Sequence, residues 1–225
     1  MRKLLTIVIA MFALIISTEE QIVEENLTAH MLLSTYEIAA GSSLRTLEKD
    51  LLKNVKDEEG RGFNDCGLYR HQFGGQRAFY QYCYFSDFEH FAKIMEAETI
   101  VNPNERQLFS SHSDHILNTL ERNLTAAPNY LLFTEYQFDS ALTNNGKTEQ
   151  AEEIFAVYNE AFGGCNLYQH YWGPEQAYYF SCGYSDYRDF ANKTKQVSEL
   201  MSSTLGNKSL HISSHSDDLL VLIQD

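Results

Sequence analysis

Hydrophobic and polar residues follow two alternating schemes along this chain, and both schemes occur twice in the same order. Around residues 30–38 and 130–138 the pattern alternates with the two-residue period of a half-buried strand. Segments 43–57 and 147–162 instead carry apolar residues three and four positions apart, as in an amphipathic helix. The pattern therefore predicts a strand followed by a helix at the start of each half of the chain.

Short motifs repeat between the two halves as well. Cys66-Gly-Leu-Tyr-Arg-His71 returns as Cys165-Asn-Leu-Tyr-Gln-His170, and Ser111-His-Ser-Asp114 returns as Ser214-His-Ser-Asp217. Self-similarity of this kind indicates a duplicated unit. We interpret the chain as a first α+β repeat at 21–124 and a second at 125–225.

The remaining elements follow from turn and cap residues. Gly74-Gly75 and Gly173-Pro174 are turn-favouring pairs, so each half is expected to contain a hairpin. Ser86-Asp87 and Ser185-Asp186 then open a second helix. A last strand is expected near 115–121 and near 218–224, with a linker at 123–129. Each repeat is thus predicted to be β-α-β-β-α-β, the ferredoxin-like order.

The four cysteines give an independent indication of the hairpins. Residues that face each other across a hairpin are equidistant from its turn, and the midpoint of Cys66 and Cys83 falls between Gly74 and Gly75. The pair Cys165 and Cys182 is centred on the second turn in the same way. This symmetry favours the disulfides Cys66–Cys83 and Cys165–Cys182, with bridges between the repeats as the alternative.

The same register sorts the hairpin side chains into two faces. One face carries the cysteines, and the other carries tyrosine and histidine beside a small alanine. In both repeats this second face is suited to a pocket of rings, hydroxyls and imidazoles. The candidate ligand-binding or catalytic residues are Tyr69, His71, Tyr80, Tyr168, His170 and Tyr179. The alternative is that these groups only hydrogen-bond one another on a half-buried sheet.

The amino-acid composition restricts the classes of partner that this protein can bind. The net charge is −14 and no basic stripe exists, which argues against nucleic acid as a partner. The chain has 14 Tyr and 14 Phe, a content that suits either half-polar cavities or ordinary strands.

The N-terminus resembles a targeting signal. Basic residues at Met1–Lys3 precede an apolar run from Leu4 to Ile16, shorter than the about 20 residues that span a bilayer. We therefore expect a cleaved signal peptide at 1–20, no membrane anchor, and a secreted, extracellular protein. Four glycosylation sequons follow, at Asn26, Asn123, Asn192 and Asn207.

Two tandem β-α-β-β-α-β units, with an aromatic-x-x-Phe-Ala start to the second helix (Phe88 to Ala92, Tyr187 to Ala191), resemble the dimeric α/β-barrel superfamily, which includes antibiotic-biosynthesis-monooxygenase-like domains. The resemblance covers nearly all of the expected mature chain and implies a pseudo-dimeric α/β barrel. Members of the superfamily bind haem, polyketides or other aromatic compounds inside the barrel, and several react with O₂ without metal or flavin. In overall profile the chain is also similar to the pholasin-type secreted photoproteins.

The Ser-His-Ser-Asp elements supply imidazole and carboxylate groups that suit a divalent metal. The candidate ligands are His112 with Asp114, and His215 with Asp217. A Ser- and Asp-rich stretch before an apolar run is, however, more often a turn or a cap.

Three functions are compatible with the sequence. The first is a secreted binding protein that holds an apolar or aromatic small molecule, such as an organic chromophore, in a monomer with internal pseudo-twofold symmetry. The second is a photoprotein or cofactor-independent oxygenase that oxidises this ligand with O₂ or oxygen radicals. The third is a non-catalytic coat, adhesion or signalling glycoprotein. We expect neither a metal nor a nucleotide as cofactor.

Overall fold

A computed structural model of the protein describes residues 28–75, 77–97, 108–173 and 176–224. The expected signal peptide and the Asn26 sequon lie outside these residues. None of the described helices is both long and apolar enough to cross a membrane.

The described part of the chain contains strands and helices in the expected order. The first half comprises β1 (His30–Ile38), α1 (Leu44–Arg61), β2 (Asn64–Gly74), β3 (Ala78–Phe85), α2 (Phe88–Glu96) and β4 (Phe109–Arg122). The second half comprises β5 (Tyr130–Phe138), α3 (Asn144–Phe162), β6 (Cys165–Trp172), β7 (Tyr178–Tyr184), α4 (Tyr187–Leu200) and β8 (Ile212–Ile223). A short π-helical turn, Met201–Leu205, extends α4.

The strands form one closed antiparallel barrel with the order β1-β3-β2-β8-β5-β7-β6-β4. Within each half the first strand lies between the last and the third strands, which is the ferredoxin-like arrangement. The halves join where β2 pairs with β8 and where β4 pairs with β6. The mixed α+β class is confirmed, and an eight-stranded barrel has an interior just wide enough for side chains or one small ligand.

The predicted hairpin register is confirmed in both halves. Cys66 pairs with Cys83 and Tyr69 with Tyr80, while Cys165 pairs with Cys182. The cysteines of each facing pair form a disulfide, with Cα atoms 4.2 Å and 4.4 Å apart. Each disulfide therefore joins the two strands of one hairpin.

The two faces of the barrel wall have different roles. On the outer face, Leu68 and Phe79 pack with Leu47 and Leu51 of α1, and the second half repeats this packing around α3. On the inner face, tyrosines and aliphatic side chains from both halves form one cluster that includes Tyr69, Tyr168 and Leu117. Fully burying an apolar side chain contributes about 1.5–3 kcal/mol, so both layers stabilise the barrel.

The structure also defines the ends and caps of the helices. Helix α1 continues one turn further, to Arg61, and ends at Gly62 in the left-handed conformation. The N-cap of α2 is Asp87, whose carboxylate accepts the His90 N–H at 2.8 Å. Asp186 caps α4 in the same way.

The Ser-His-Ser-Asp elements are neither turns nor caps. They lie inside β4 and β8, which begin at Phe109 and Ile212. The strands extend this far because β1 and β5 supply ladder partners, such as Tyr36 for His112 and Tyr136 for His215.

Candidate ligand-binding site

A cavity lies inside the barrel at the end where β4 finishes and β5 begins. Its volume of about 60 Å³ has room for roughly four to six water molecules. Aromatic and aliphatic side chains form most of the wall, which is typical of small-molecule sites. The aromatic members are Tyr69, Tyr80, Tyr82, Tyr84, Phe133 and Tyr168.

The cavity is located where the two halves of the barrel differ. Aligned on their cysteines, β3 carries Tyr82 and Tyr84 where β7 carries Ser181 and Gly183. A Cβ added at Gly183 would lie 3.0 Å from Pro128. The missing rings of β7 therefore leave space, and the linker between the halves occupies part of it.

That linker, residues 123–129, forms the outer wall of the cavity. The buried Asn166 side chain accepts the N–H groups of Asn123 and Leu124, both at 2.9 Å. At the other end of the linker, the Tyr69 hydroxyl donates to the Pro128 carbonyl at 2.9 Å. Both contacts come from residues of the barrel interior, so the linker is held against the cavity from inside.

A buried hydroxyl cluster borders the cavity beside the linker. The hydroxyls of Tyr84 and Tyr168 are 2.6 Å apart, and Asn166 Nδ2 donates to the Tyr168 hydroxyl at 2.9 Å. Burial raises the pKa of both tyrosines. The cluster therefore stays neutral at physiological pH and presents hydroxyls, not phenolates.

Tyr80 connects the cavity with an acidic group deeper in the barrel. Its hydroxyl donates to Asp218 Oδ2 at 2.8 Å, while the Gly75 N–H donates to Oδ1 at 2.6 Å. His71 Nε2 lies 3.7 Å from Asp218 Oδ1. Burial raises the pKa of Asp218, although the bonds from Tyr80 and Gly75 oppose the rise. Burial and the Asp218 charge raise the pKa of Tyr80, so Tyr80 acts as a hydrogen-bond donor.

The close approach of β2 and β8 at this point requires a glycine. Gly74 has φ +126°, and a Cβ there would collide with the Asp217 carbonyl oxygen. The glycine thus lets the hairpin turn bring the Gly75 N–H to Asp218.

The six predicted site residues do not form one site. Tyr69, Tyr80 and Tyr168 lie in the cavity wall. Tyr179 lies beyond Phe133, whose ring stacks on it with centroids 5.5 Å apart, and its hydroxyl is 3.5 Å from His115 Nδ1.

The two histidines of the prediction lie towards the opposite end of the barrel. His71 approaches Asp218, and His170 belongs to β6, where its backbone N–H donates to the Ala177 carbonyl at 2.9 Å. The structure therefore brings three of the six residues together and separates the imidazoles from the cavity.

The mouth of the cavity carries one cation and one anion. Arg122 Nη2 is 3.2 Å from Asp65 Oδ2, and the guanidinium lies 5.1 Å from the centroid of the Tyr84 ring. Asp65 has φ +43° at a bulge in β2, a left-handed conformation that Asp tolerates better than most residues. Burial raises the pKa of Asp65, and Arg122 opposes the rise.

The candidate metal ligands form two separate pairs on the barrel wall. His112 Nε2 is 2.9 Å from Asp114 Oδ1, and His215 Nε2 is 3.2 Å from Asp217 Oδ1. The two imidazoles stack on Tyr36 and Tyr136, with centroids 4.8 Å and 4.4 Å apart. Within the described ranges, no three His, Cys, Asp or Glu side chains are grouped to hold a metal.

Several wall residues were missed by the sequence analysis. Tyr82 and Tyr84 continue the inner face of β3 beyond Tyr80, so the strand alternation was a signal that could have found them. Arg122, Asp65 and Asn166 had no such signal, because their proximity depends on how β4 pairs with β6 and on the path of the linker.

Comparison with known proteins supports the fold assignment. No protein-family description and no curated protein sequence matches the chain. Among solved structures, an anthrone oxidase-like protein is similar with a TM-score of 0.61 and 7% identity, over 87% of this chain and 91% of that one. A candidate monooxygenase from Fusobacterium nucleatum has a TM-score of 0.57 and 11% identity, over 88% and 93%. This chain has the dimeric α/β-barrel fold.

A third similar structure is a chlorite dismutase from Candidatus Nitrospira defluvii, with a TM-score of 0.51 and 9% identity over 89% and 94% of the two chains. At these identities the dimeric α/β barrel is what the chains share. In this barrel strands of one chain supply both four-stranded halves.

Haem, which some proteins of this fold bind, does not fit the cavity described above. Haem iron is usually held by His, Cys or Met, or by Tyr. The described lining contains neither His nor Cys. It does contain Met31, and four of its tyrosine hydroxyls are bound to Asp218, to Pro128 and to each other. Space for roughly four to six water molecules is also far too little for a porphyrin macrocycle.

Proposed function

We propose that the barrel binds a small apolar or aromatic molecule in the cavity beneath the linker. The observation that carries the proposal is the mostly apolar, tyrosine-rich cavity that lies where β7 lacks the two tyrosines of β3. Empty apolar space of this kind weakens a fold, because side chains on its wall lose packing partners. A ligand that fills the space regains that packing.

We further propose that the protein is a secreted glycoprotein built from two copies of one unit. Disulfides persist in oxidising compartments, and both hairpins of the barrel carry one. The described sequon asparagines Asn123, Asn192 and Asn207 are exposed. The matching strand order of the two halves supports the duplication.

A cavity-filling variant tests the binding proposal. Ser181 is 6% exposed and lies in the cavity wall, at the position that Tyr82 occupies in the first half. In Ser181→Tyr the new ring should fill the cavity and abolish binding of indole, a neutral aromatic probe, measured by calorimetric titration. Ser213→Tyr, on an exposed position of β8, is the matched control and should bind indole like the parent protein.

Two outcomes would contradict the proposal. One is a parent protein that binds neither indole nor any other small aromatic probe. The other is indole binding that survives Ser181→Tyr, since the ligand would then lie elsewhere. Urea unfolding of both variants establishes that each is folded under the titration conditions.

A second candidate function is oxidation of the bound ligand by O₂ or oxygen radicals, with or without the emission of light. The similar structures include an anthrone oxidase-like protein and a candidate monooxygenase, and the linker forms part of the cavity wall. The natively secreted protein should then show ligand absorption and consume oxygen or emit light when superoxide is added. Absorption without either response would leave binding as the function.

A further inference from the structure

We infer that the natural ligand carries an acidic group, held by Arg122 at the linker end of the cavity. The inference rests on the proposed function and names the chemical class of its ligand: a small aromatic acid or an acidic phenol. Arg122 belongs to the cavity wall, as does Asn166, which faces it across the β4–β6 ladder.

Arg122 has an unused donor in the described structure. Its Nη2 reaches Asp65, but its Nε is buried and has no hydrogen-bond partner among the described residues. A buried donor of a charged group without an acceptor carries the full desolvation penalty of that group. A ligand oxygen near Nε would remove this cost, and a carboxylate also supplies the charge that a guanidinium binds best.

Asp65 does not take the place of such a ligand. The Asp65 side chain is 52% exposed and that of Arg122 is 26% exposed, so solvent screens the attraction between them. An anion inside the cavity would meet the same guanidinium in a drier environment, where the attraction is stronger.

The rest of the wall determines the orientation of the ligand. Asp65 and Arg122 are the charged side chains of the described lining, and the tyrosines are neutral. Deeper in the barrel, the Asp218 carboxylate behind Tyr80 would repel an anion. The acidic group should therefore lie at the mouth, with the apolar part of the ligand directed towards Phe133 and Leu220.

Two isosteric probes test this inference: benzoate, which is an anion, and benzamide, which is neutral. Both are titrated by ligand-observed NMR into the parent protein and into Arg122→Gln, Arg122→Lys and Asp65→Asn. Arg45→Gln, on an exposed position of α1, is the control for a general loss of positive charge.

In the parent protein benzoate should bind more tightly than benzamide. Loss of a charge-assisted hydrogen bond predicts an affinity for benzoate about tenfold or more lower in Arg122→Gln. The affinity for benzamide should change less than about twofold in the same variant, since benzamide makes no charge pair with Arg122. Arg122→Lys should retain part of the preference for benzoate over benzamide, because lysine keeps the positive charge but lacks the planar donor arrangement of the guanidinium.

Asp65→Asn should change the affinity for benzoate in the opposite direction to Arg122→Gln. Removing the carboxylate that shares the guanidinium should strengthen benzoate binding and leave benzamide unchanged. A variant that merely disturbed the fold would weaken both probes, so this variant also decides the question if Arg122→Gln fails to fold.

Equal binding of the two probes by the parent protein, or weaker benzoate binding in Asp65→Asn, would overturn the inference and leave the proposed function standing. If neither these probes nor indole bind the parent protein, the proposed function fails together with the inference.

Discussion

The hydroxyl of Tyr168 links the buried polar groups beside the cavity, and its removal should destabilise the protein more than an isosteric change usually does. Tyr168→Phe keeps the ring but leaves the Tyr84 hydroxyl without its 2.6 Å partner and Asn166 Nδ2 without its 2.9 Å acceptor. Tyr84 is 4% and Asn166 5% exposed, so water replaces neither contact easily. Each buried group left unsatisfied costs about 1–3 kcal/mol. The free energy of unfolding should therefore fall by about 2–6 kcal/mol.

Tyr84→Phe is the matched variant, because it removes the other hydroxyl of the same hydrogen bond. The Tyr168 hydroxyl then still accepts from Asn166 Nδ2, so a single hydrogen bond is lost and Asn166 keeps its acceptor. The expected loss is about 1 kcal/mol. The two substitutions each remove one hydroxyl of the same hydrogen bond, yet their losses in the free energy of unfolding should differ by at least about 1 kcal/mol.

Urea unfolding at pH 7, followed by far-ultraviolet circular dichroism with both disulfides intact, measures the two losses. The dependence of the free energy on urea concentration should be the same in all three proteins, since none changes the surface exposed on unfolding. Equal losses, or a larger loss for Tyr84→Phe, would refute the assignment of Tyr168 as the central hydroxyl of the cluster.

Three further predictions concern the barrel wall. Replacing Cys66 and Cys83 by Ala removes a bridge between residues 17 positions apart and should lower the free energy of unfolding by about 3 kcal/mol, measured in urea; no change would contradict the entropic argument. Burial raises the pKa of Asp218 above its ordinary 3.8. The protonated form of Asp218 therefore stabilises the folded protein, and this contribution is complete below about pH 4. It is lost as the pH rises through the raised pKa. Asp218→Asn should therefore gain stability relative to the parent protein between pH 4 and pH 7, and urea unfolding at several pH values would reject this if the difference were constant. Gly183→Val places a branched side chain against Pro128 and should cost about 1–3 kcal/mol, with faster amide exchange confined to the linker.

Much of the fold followed from local patterns. Alternation located β1 and β5, because one face of each strand packs under a helix and the other faces the barrel interior. The cysteine symmetry then predicted the register of both hairpins, since a disulfide across a hairpin requires facing positions. These features depend on contacts close in sequence, which a single chain displays directly.

Only half of the candidate site could be predicted from the sequence, because the other half depends on contacts between residues that are distant in the chain. Tyr69, Tyr80 and Tyr168 share the inner face of their hairpins, and the register identified that face. The position of the cavity depends instead on the pairing of β4 with β6 and on the linker, which bring Arg122 beside Tyr84. His71 satisfied the same local pattern as Tyr69, but the bulge after it and the pairing of β2 with β8 carry it to Asp218.

The difference between the two halves also bears on stoichiometry. The centre of the barrel is matched: Tyr69 corresponds to Tyr168, and Leu117 to Leu220, and all four side chains are buried. At the linker end the halves diverge, as Tyr82 and Tyr84 of β3 face a second half that has small residues instead. A barrel with tyrosine in both halves would have little free space there, and one with serine and glycine in both would have two equivalent openings. Because the cavity arises from this mismatch, and because one linker lines it, the proposed ligand should bind with a stoichiometry of one per chain, although the two halves share one strand order.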